Sequence, residues 1–228
     1  MLSPRQCLHA ALRINQGEFD GGNPGVVSWK NELLWREINK HILGCYPRVS
    51  RHRAFRPETE SVRWRNDPKG LAAWKEGRTG IPLVDAAMRQ LLATGWMHNR
   101  LRMVSAMFLT KNLLIDWREG ERWFMQHLID GDLAANNGGW QWSASTGTDA
   151  APYFRVFNPV SQSEKCAPDG SFIRQWLPEL AELPARDIHL PPQADQFAEQ
   201  PAYPAPIVDL RSSRQRAIDA FREAGETA

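Results

Sequence analysis

An all-α fold is what this sequence predicts. No segment alternates apolar and polar residues as a half-buried strand would, no turn dipeptide between such runs signals a hairpin, and helix start and stop residues recur along the chain. At 228 residues the chain amounts to one large domain, or one and a half, with length enough to bury a substantial core.

The elements follow from those start and stop residues. Ser3, Pro4 and Gln6 supply an N-cap, a first-turn proline and a capping-box partner, so a helix is predicted almost from the first residue. Residues 17–25 form a Gly/Asn/Pro loop. Ser28 is expected to cap a second helix, which runs to about Cys45 and stops before Pro47. Projected at about 100° per residue, Leu34, Ile38, His41, Ile42 and Cys45 form its expected core stripe. Trp29, Glu32, Trp35, Arg36 and Asn39 fall on a separate wedge, whose mixture of rings, charges and an amide reads as the wall of a site. Residues 46–66 are a basic connection. Asp67-Pro68 opens a short helix through Trp74 that ends near Gly77, residues 81–92 form an amphipathic helix closed by Gly95, and residues 98–115 and 119–129 form two more. Pro178, Pro184, Pro191, Pro192, Pro201, Pro204 and Pro206 predict an extended strap over residues 177–206, and residues 211–224 a closing helix.

Composition narrows the function classes. The apolar share of 42% and charged share of 24% are those of a globular protein, and apolar runs are short and flanked by charge, which excludes a membrane span. Pro4, Arg5, Gln6 and His9 interrupt any signal-peptide core in the first 15 residues. Cys7, Cys45 and Cys166 lie far apart with no histidine at ligand spacing, so neither a disulfide framework nor a zinc site is expected, and no other metal. The net charge of +2 conceals an asymmetry: residues 1–111 hold 18 Lys and Arg against 9 Asp and Glu, residues 112–228 hold 10 against 17. Arginine dominates the basic part, densest at Arg48, Arg51, Arg53, Arg56, Arg63 and Arg65, as expected either for a phosphate-binding face or for a solvated loop.

No nucleophile elbow, phosphate-binding Gly-Lys-Ser/Thr or His-Glu-x-x-His pattern is present, so hydrolysis by those routes has no support. The chemistry concentrates in residues 130–142, which read Asp-Gly-Asp-Leu-Ala-Ala-Asn-Asn-Gly-Gly-Trp-Gln-Trp. Carboxylates and amides supply donors and acceptors, Gly138-Gly139 allows close backbone approach, and the tryptophans supply π surface that can stack or pass an electron. Such a segment suits a planar polar ring beside a second planar ligand. Ten tryptophans against three tyrosines is a skew that packing alone does not require. Arg102, inside an apolar helical run, needs a partner if buried, and Asp130 and Asp132 are the candidates.

Taken together, Trp29–Arg36, Thr79–Arg89, Trp96–Met103 and Asp130–Trp142, followed by Asn158, Gln162, Trp176 and Tyr203–Val208, resemble class I cyclobutane pyrimidine dimer photolyases of the cryptochrome/photolyase family. The resemblance implies the helical FAD-binding domain of that family. It also implies light-driven repair of cyclobutane pyrimidine dimers in UV-damaged DNA, with reduced FAD as the active cofactor. Trp29, Arg102, Asp130, Gly131, Asp132 and Asn136 are implied to hold FAD, with Arg102 paired to Asp130 and Asn136 at the N5 edge. Glu32, Trp35, Arg36, Asn39, Asn99, Arg100, Met103, Trp142 and Gln162 are implied to hold the flipped-out dimer and its strand, Glu32 through a pyrimidine edge. Trp64, Trp117 and Trp140 match the family's electron-transfer chain.

By the same resemblance, residues 1–176 are the helical FAD- and DNA-binding part, and residues 177–228 a Pro-rich strap and helix packed on it. The family's N-terminal α/β antenna domain, with its folate-type chromophore, and the loop clamping the FAD phosphates have no counterpart in these residues. A monomer in a bacterial-type cytoplasm, associated with DNA, is the expected state. The alternatives are a cryptochrome-type flavin photosensor and a cofactor-free DNA-binding fragment.

Overall fold

The computed structural model describes residues 2–149, 154–192 and 203–226. Among them, α-helices are the only regular elements beyond short 3₁₀ and π turns: α1 (Pro4–Ile14), α2 (Pro24–Cys45), α3 (Pro47–Ser50), α4 (Pro68–Lys75), α5 (Pro82–Thr94), α6 (Asn99–Met107), α7 (Trp117–His127), α8 (Leu133–Ala144), α9 (Pro159–Cys166), α10 (Ser171–Trp176), α11 (Ala185–Ile188) and α12 (Leu210–Glu226). The expected all-α class is what the described residues have. None of their helices is long and apolar enough to cross a membrane, and no cluster of metal-ligating side chains occurs among them.

Capping chemistry sets most starts and stops. Ser3 and Gln6 complete the capping box of α1. The Asp67 carboxylate accepts the Gly70 N–H at 2.8 Å to open α4, and Gly95 closes α5 at φ 69°. The second helix begins earlier than expected. Asn23 caps it, its side chain accepting the Gly25 N–H at 2.9 Å, and Pro24 takes the first turn, so Ser28 lies inside α2.

Of the core stripe expected on α2, only Ile42 is half-buried. Leu34 is 44% and Ile38 43% exposed, and His41 and Cys45 face outward as well. α2 packs on α1 and α8, and the approach to α8 sets Asn39 against Gly138, where any Cβ would overlap the Asn39 amide. Apolar residues populate more than one arc of this helix, and that close crossing decides which arc turns inward.

Residues 98–115 are not one helix either. α6 gives way to a π turn over Phe108–Asn112, with the Leu113 N–H donating to Phe108 O at 2.9 Å and Leu114 at φ 54°. Lys111, in that wider turn, is fully buried. Its Nζ donates to Ala144 O at 2.8 Å and Ser145 Oγ at 2.9 Å, at the end of α8, and lies 3.8 and 3.9 Å from the Phe154 and Phe221 ring centres. Burial holds its pKa well below the ordinary lysine value.

The main core is built by α4 to α8, with Trp74, Val84, Met88, Leu91, Leu109, Trp117, Phe124 and Trp140 buried together. Burying each such large side chain contributes roughly 1.5–3 kcal/mol. A smaller cluster joins Ala86, Ile173, Leu177, Leu180 and Ile188. That cluster corrects the predicted strap: residues 178–188 coil into a 3₁₀ turn and α11 because Leu180 and Ile188 must turn inward, and Arg174 donates to Ala181 O and Leu183 O. Residues 193–202 of the predicted strap, Pro201 included, lie outside the described residues. Beyond them the Tyr203 hydroxyl donates to Asp85 Oδ2 at 2.6 Å, and the Ile207 N–H to Thr79 O at 2.9 Å. Asp85 also accepts from the Thr79 and Gly80 N–H groups and the Thr79 hydroxyl. Burial still raises its carboxyl above the ordinary range, and burial followed by the adjacent carboxylate raises the Tyr203 phenol. Gly80, at φ 76°, lies so close to Ala205 and Pro206 that no side chain fits between them.

Candidate active site

α8 carries the site, and its N-terminus is built by Asp132, whose carboxylate accepts the Ala135 N–H at 3.0 Å. One turn on, the Asn136 side-chain N–H donates to Glu121 O of α7 at 3.0 Å. This bond fixes the amide and leaves its Oδ1 as an acceptor at the cavity that Asn136 lines. A Cβ on Gly139 would meet nothing within 4 Å, so that position borders open space. Trp140 turns inward, its ring 4.9 Å from Phe124 and 5.9 Å from Trp74, and lies over Gly120, where no Cβ fits. α7 and α8 can approach this closely only because Gly120 lacks a side chain.

α6 forms the facing wall. The Arg102 Nε–H donates to Met97 O at 2.8 Å, and its Nη2 donates to both Asp130 oxygens at 3.0 and 2.8 Å. A guanidinium bound at both ends has little rotational freedom left, so the Asp130 loop is held to α6. Of the two partners expected for Arg102, Asp130 is the one found. The cavity between these walls measures about 140 Å³. Asn99, Met103 and Ala106 line it from α6, Asp130 to Asp132 from the loop, and Asn136, Gly139 and Trp140 from α8.

The structure therefore brings together Asn99, Arg102, Met103, Asp130, Gly131, Asp132, Asn136 and Trp140. The other predicted residues lie elsewhere. Trp29 borders a separate apolar hollow of about 810 Å³ between α1 and α2. Glu32 is exposed, Trp35 is 58% exposed, and Arg36 is paired with its neighbour Glu37. Asn39 lies against Gly138. Arg100 is exposed at the start of α6, and Gln162 is half-buried on α9. Trp142 has Phe157 edge-on at 6.5 Å and the Arg155 guanidinium 5.5 Å from its ring centre. Trp140 and Trp117 are buried while Trp64 is half-buried, all in or against one core cluster.

Four of the six arginines of the basic stretch are ion-paired, while Arg51 and Arg63 are exposed without an ion pair among the described residues. Glu60 lies within ion-pair distance of Arg48, Arg53 and Arg118, Arg56 pairs with Glu58, and Arg65 with Asp67. The segment runs along the flank of α8 away from the cavity, where the Phe55 N–H donates to Gln141 Oε1 at 2.7 Å and Gln141 donates to Asn137 Oδ1 at 2.8 Å.

Sequence reasoning missed Glu121, Phe124, Gly120 and Trp74. Glu121 is buried, accepts from Asn137 Nδ2 at 2.9 Å and lies 3.0 Å from His52 Nδ1. A signal was there: Trp117, Glu121, Phe124 and Leu128 share one helical stripe, and a carboxylate on an apolar stripe needs partners.

The arrangement suits a flat, polar heterocycle: an amide acceptor at one edge, a clamped carboxylate at another, a glycine-walled face and a buried indole behind. An isoalloxazine fits that donor and acceptor set. A cavity of about 140 Å³ takes only part of a dinucleotide, so the remainder of FAD would extend beyond it.

Comparison with known proteins agrees with the geometry. Residues 29–223 match the family described as the FAD binding domain of DNA photolyase. The chain is 57% identical over 224 residues to the deoxyribodipyrimidine photo-lyase of Escherichia coli, covering 98% of this chain and 47% of that protein. It is 48% identical to the Neurospora crassa protein of the same name, covering 97% and 38%. A class III photolyase from Agrobacterium tumefaciens superposes with a TM-score of 0.89 at 40% identity, over 99% of this chain and 47% of that one. A Synechocystis cryptochrome superposes at 0.86 and 35% identity, over 96% and 46%. The chain thus spans about half the length of its relatives, or less.

Proposed function

The chain belongs to the DNA photolyase FAD-binding-domain family, and from that membership we propose that it is the flavin- and lesion-holding part of a light-driven lyase that repairs cyclobutane pyrimidine dimers in DNA. The observation carrying this reading is the cavity between α6 and α8, where the oriented Asn136 amide and the clamped Arg102–Asp130 pair border one space. Reduced FAD, when bound, would supply blue-light absorption and a transferable electron.

The chain's own residues bind, orient and exclude water. The Asn136 carbonyl offers an acceptor to an N–H at the ring edge, and its amide cannot rotate away without losing Glu121 O. Asp130 and Arg102 hold the polar edge. Asn99 and Met103, one turn apart on α6, line the side on which an extruded pyrimidine dimer would lie. Trp35 and Trp142 offer stacking surfaces, Glu32 an acceptor for a pyrimidine edge, and Arg36, Arg100 and Gln162 contacts to the strand. Trp140 and Trp117 are buried and Trp64 is half-buried in the same core cluster, which suits Trp64 as the outer end of an electron path. We assign residues 1–176 to the cofactor and DNA part and residues 177–228 to a closing segment of the same body. A monomer acting on DNA in the cytoplasm is the state this reading implies.

The test is the purified chain, with FAD added, on UV-irradiated oligothymidylate under blue light. Light-dependent loss of dimers is the expected result. A flavin band without repair would favour the photosensor reading, and failure to take up flavin the cofactor-free one.

A further inference from the structure

Trp64 stands between two arginines that open onto neighbouring hollows. Arg63 borders an open hollow of about 1020 Å³ against α12, and Arg65 borders one of about 550 Å³ beneath the chain leading into α12. Asp209, Ser212 and Arg216 line both, which makes them one trough. Phe221 of α12 sits edge-on to Trp64, ring centres 5.8 Å apart, so the half-buried indole lies under the helix that forms the trough's wall.

The trough's cations exceed its available anions. Arg63 and Arg214 make no ion pair among the described residues, and Arg211 is only within Coulombic range of Asp209. Arg63, Arg65, Lys69, Arg78, Arg211, Arg214 and Arg216 line the trough against four acids, Asp67, Asp209, Asp219 and Glu223. Asp67 pairs with Arg65, Asp209 accepts the Ser212 N–H at 2.7 Å, and Asp219 is bound by Arg222 and Gln215. Arg216, held by Asn112 O, has a buried Nε without a partner and lies close enough to Arg65 that the second cation, after burial, lowers its pKa. Guanidinium groups crowded beside water-filled space are relieved by an anion.

We propose that this trough binds a small anionic one-electron donor that re-reduces Trp64. The inference rests on the reading of Trp64 as the outer end of the electron path. In the step, the donor loses one electron to the Trp64 radical cation, restoring the neutral indole and leaving the one-electron-oxidised donor. The oxidised ene-diolate or dihydronicotinamide then sheds one proton to water, and no other bond forms or breaks. The shared chemistry is a negatively charged reductant, an ene-diolate or a phosphate-bearing dihydronicotinamide.

The test uses R211E/R214E, both positions exposed, so that folding is preserved, and W64F. The first measurement needs no flavin: quenching of Trp64 fluorescence, taken as wild type minus W64F, by iodide, caesium and acrylamide. Iodide should quench several-fold better than caesium in the wild type, and R211E/R214E should remove that preference while leaving acrylamide unchanged. The second follows decay of the Trp64 radical in the flavin-loaded protein with ascorbate, NADPH or neutral dithiothreitol. The variant should slow decay by roughly tenfold with the anionic donor the trough accepts, and should leave dithiothreitol unaffected. Ascorbate or NADPH responding alone identifies the source. Equal behaviour of anionic and neutral donors in both proteins overturns the proposal. If W64F photoreduces like the wild type, the premise fails. If W64F is defective but the charge reversal has no effect, the trough alone is wrong.

Discussion

The two flanks of α8 differ in what they touch. Asn136, Gly139 and Trp140 border the cavity on one, with Asn136 fixed by a backbone carbonyl and Gly139 facing empty space. Asn137, Gly138 and Gln141 meet packed protein on the other, each joined to or pressed against Glu121, Asn39 or residues 53–55. One helix is locked from behind so that its front can be presented unfilled. A flank left open for a ligand should tolerate added volume, and a locked one should not.

Glycine substitutions break that comparison most sharply. Gly120→Ala lies on α7, outside both flanks, and serves as the packed reference: its methyl is forced into the Trp140 ring and should destabilise the fold by about 1–3 kcal/mol. Gly138→Ala meets the movable end of Asn39 and should cost less. Gly139→Ala should be neutral or stabilising by about 0.5–1 kcal/mol through helix propensity. Urea denaturation of the three would contradict the comparison if the losses came out equal.

Arg102→Ala comes next. It frees the Asp130 loop and should raise the dissociation constant for FAD by about tenfold, since charge-assisted hydrogen bonds contribute roughly 1.5–3 kcal/mol and this pair is partly exposed. An unchanged flavin titration would remove the pair from the site.

The Asp85 latch gives a pH signature away from both flanks. Its carboxyl is raised in the folded protein, so its contribution is fully present below the unfolded carboxyl value and lost as pH rises through the folded one. Asp85→Asn should flatten that segment of the stability–pH curve. Persistence of the wild-type slope would assign it to another group.

Smallest of all, Trp35→Ala should change stability by less than about 0.5 kcal/mol, because the ring is largely exposed. It should nevertheless weaken binding of dimer-containing DNA, which a filter-binding assay would register. A large loss of stability would mean that Trp35 packs on protein.

Local chemistry made several helix ends legible: Ser3 with Gln6 and Asp67 with Pro68 at starts, and Gly95 at a stop, act within a turn of themselves. The Arg102–Asp130 pair was legible as a need, since an arginine in an apolar run requires a carboxylate. Which arc of α2 faces inward was not, because the Asn39–Gly138 crossing joins residues remote in sequence. The π turn at 108–112 depends on Lys111 reaching the end of α8, and the coil of residues 178–188 on Ala86 and Ile173. Gly120 is invisible as a site residue until Trp140 is seen lying on it.

Filling the cavity from the tolerant flank tests the central claim most directly. Gly139→Leu adds a side chain where a Cβ meets nothing, on a helix whose locked flank is untouched. FAD uptake, followed by flavin absorbance and Trp140 quenching, should be lost while the urea midpoint stays at or above that of the wild type. Flavin bound with unchanged affinity by the plugged protein would place the isoalloxazine somewhere other than between α6 and α8.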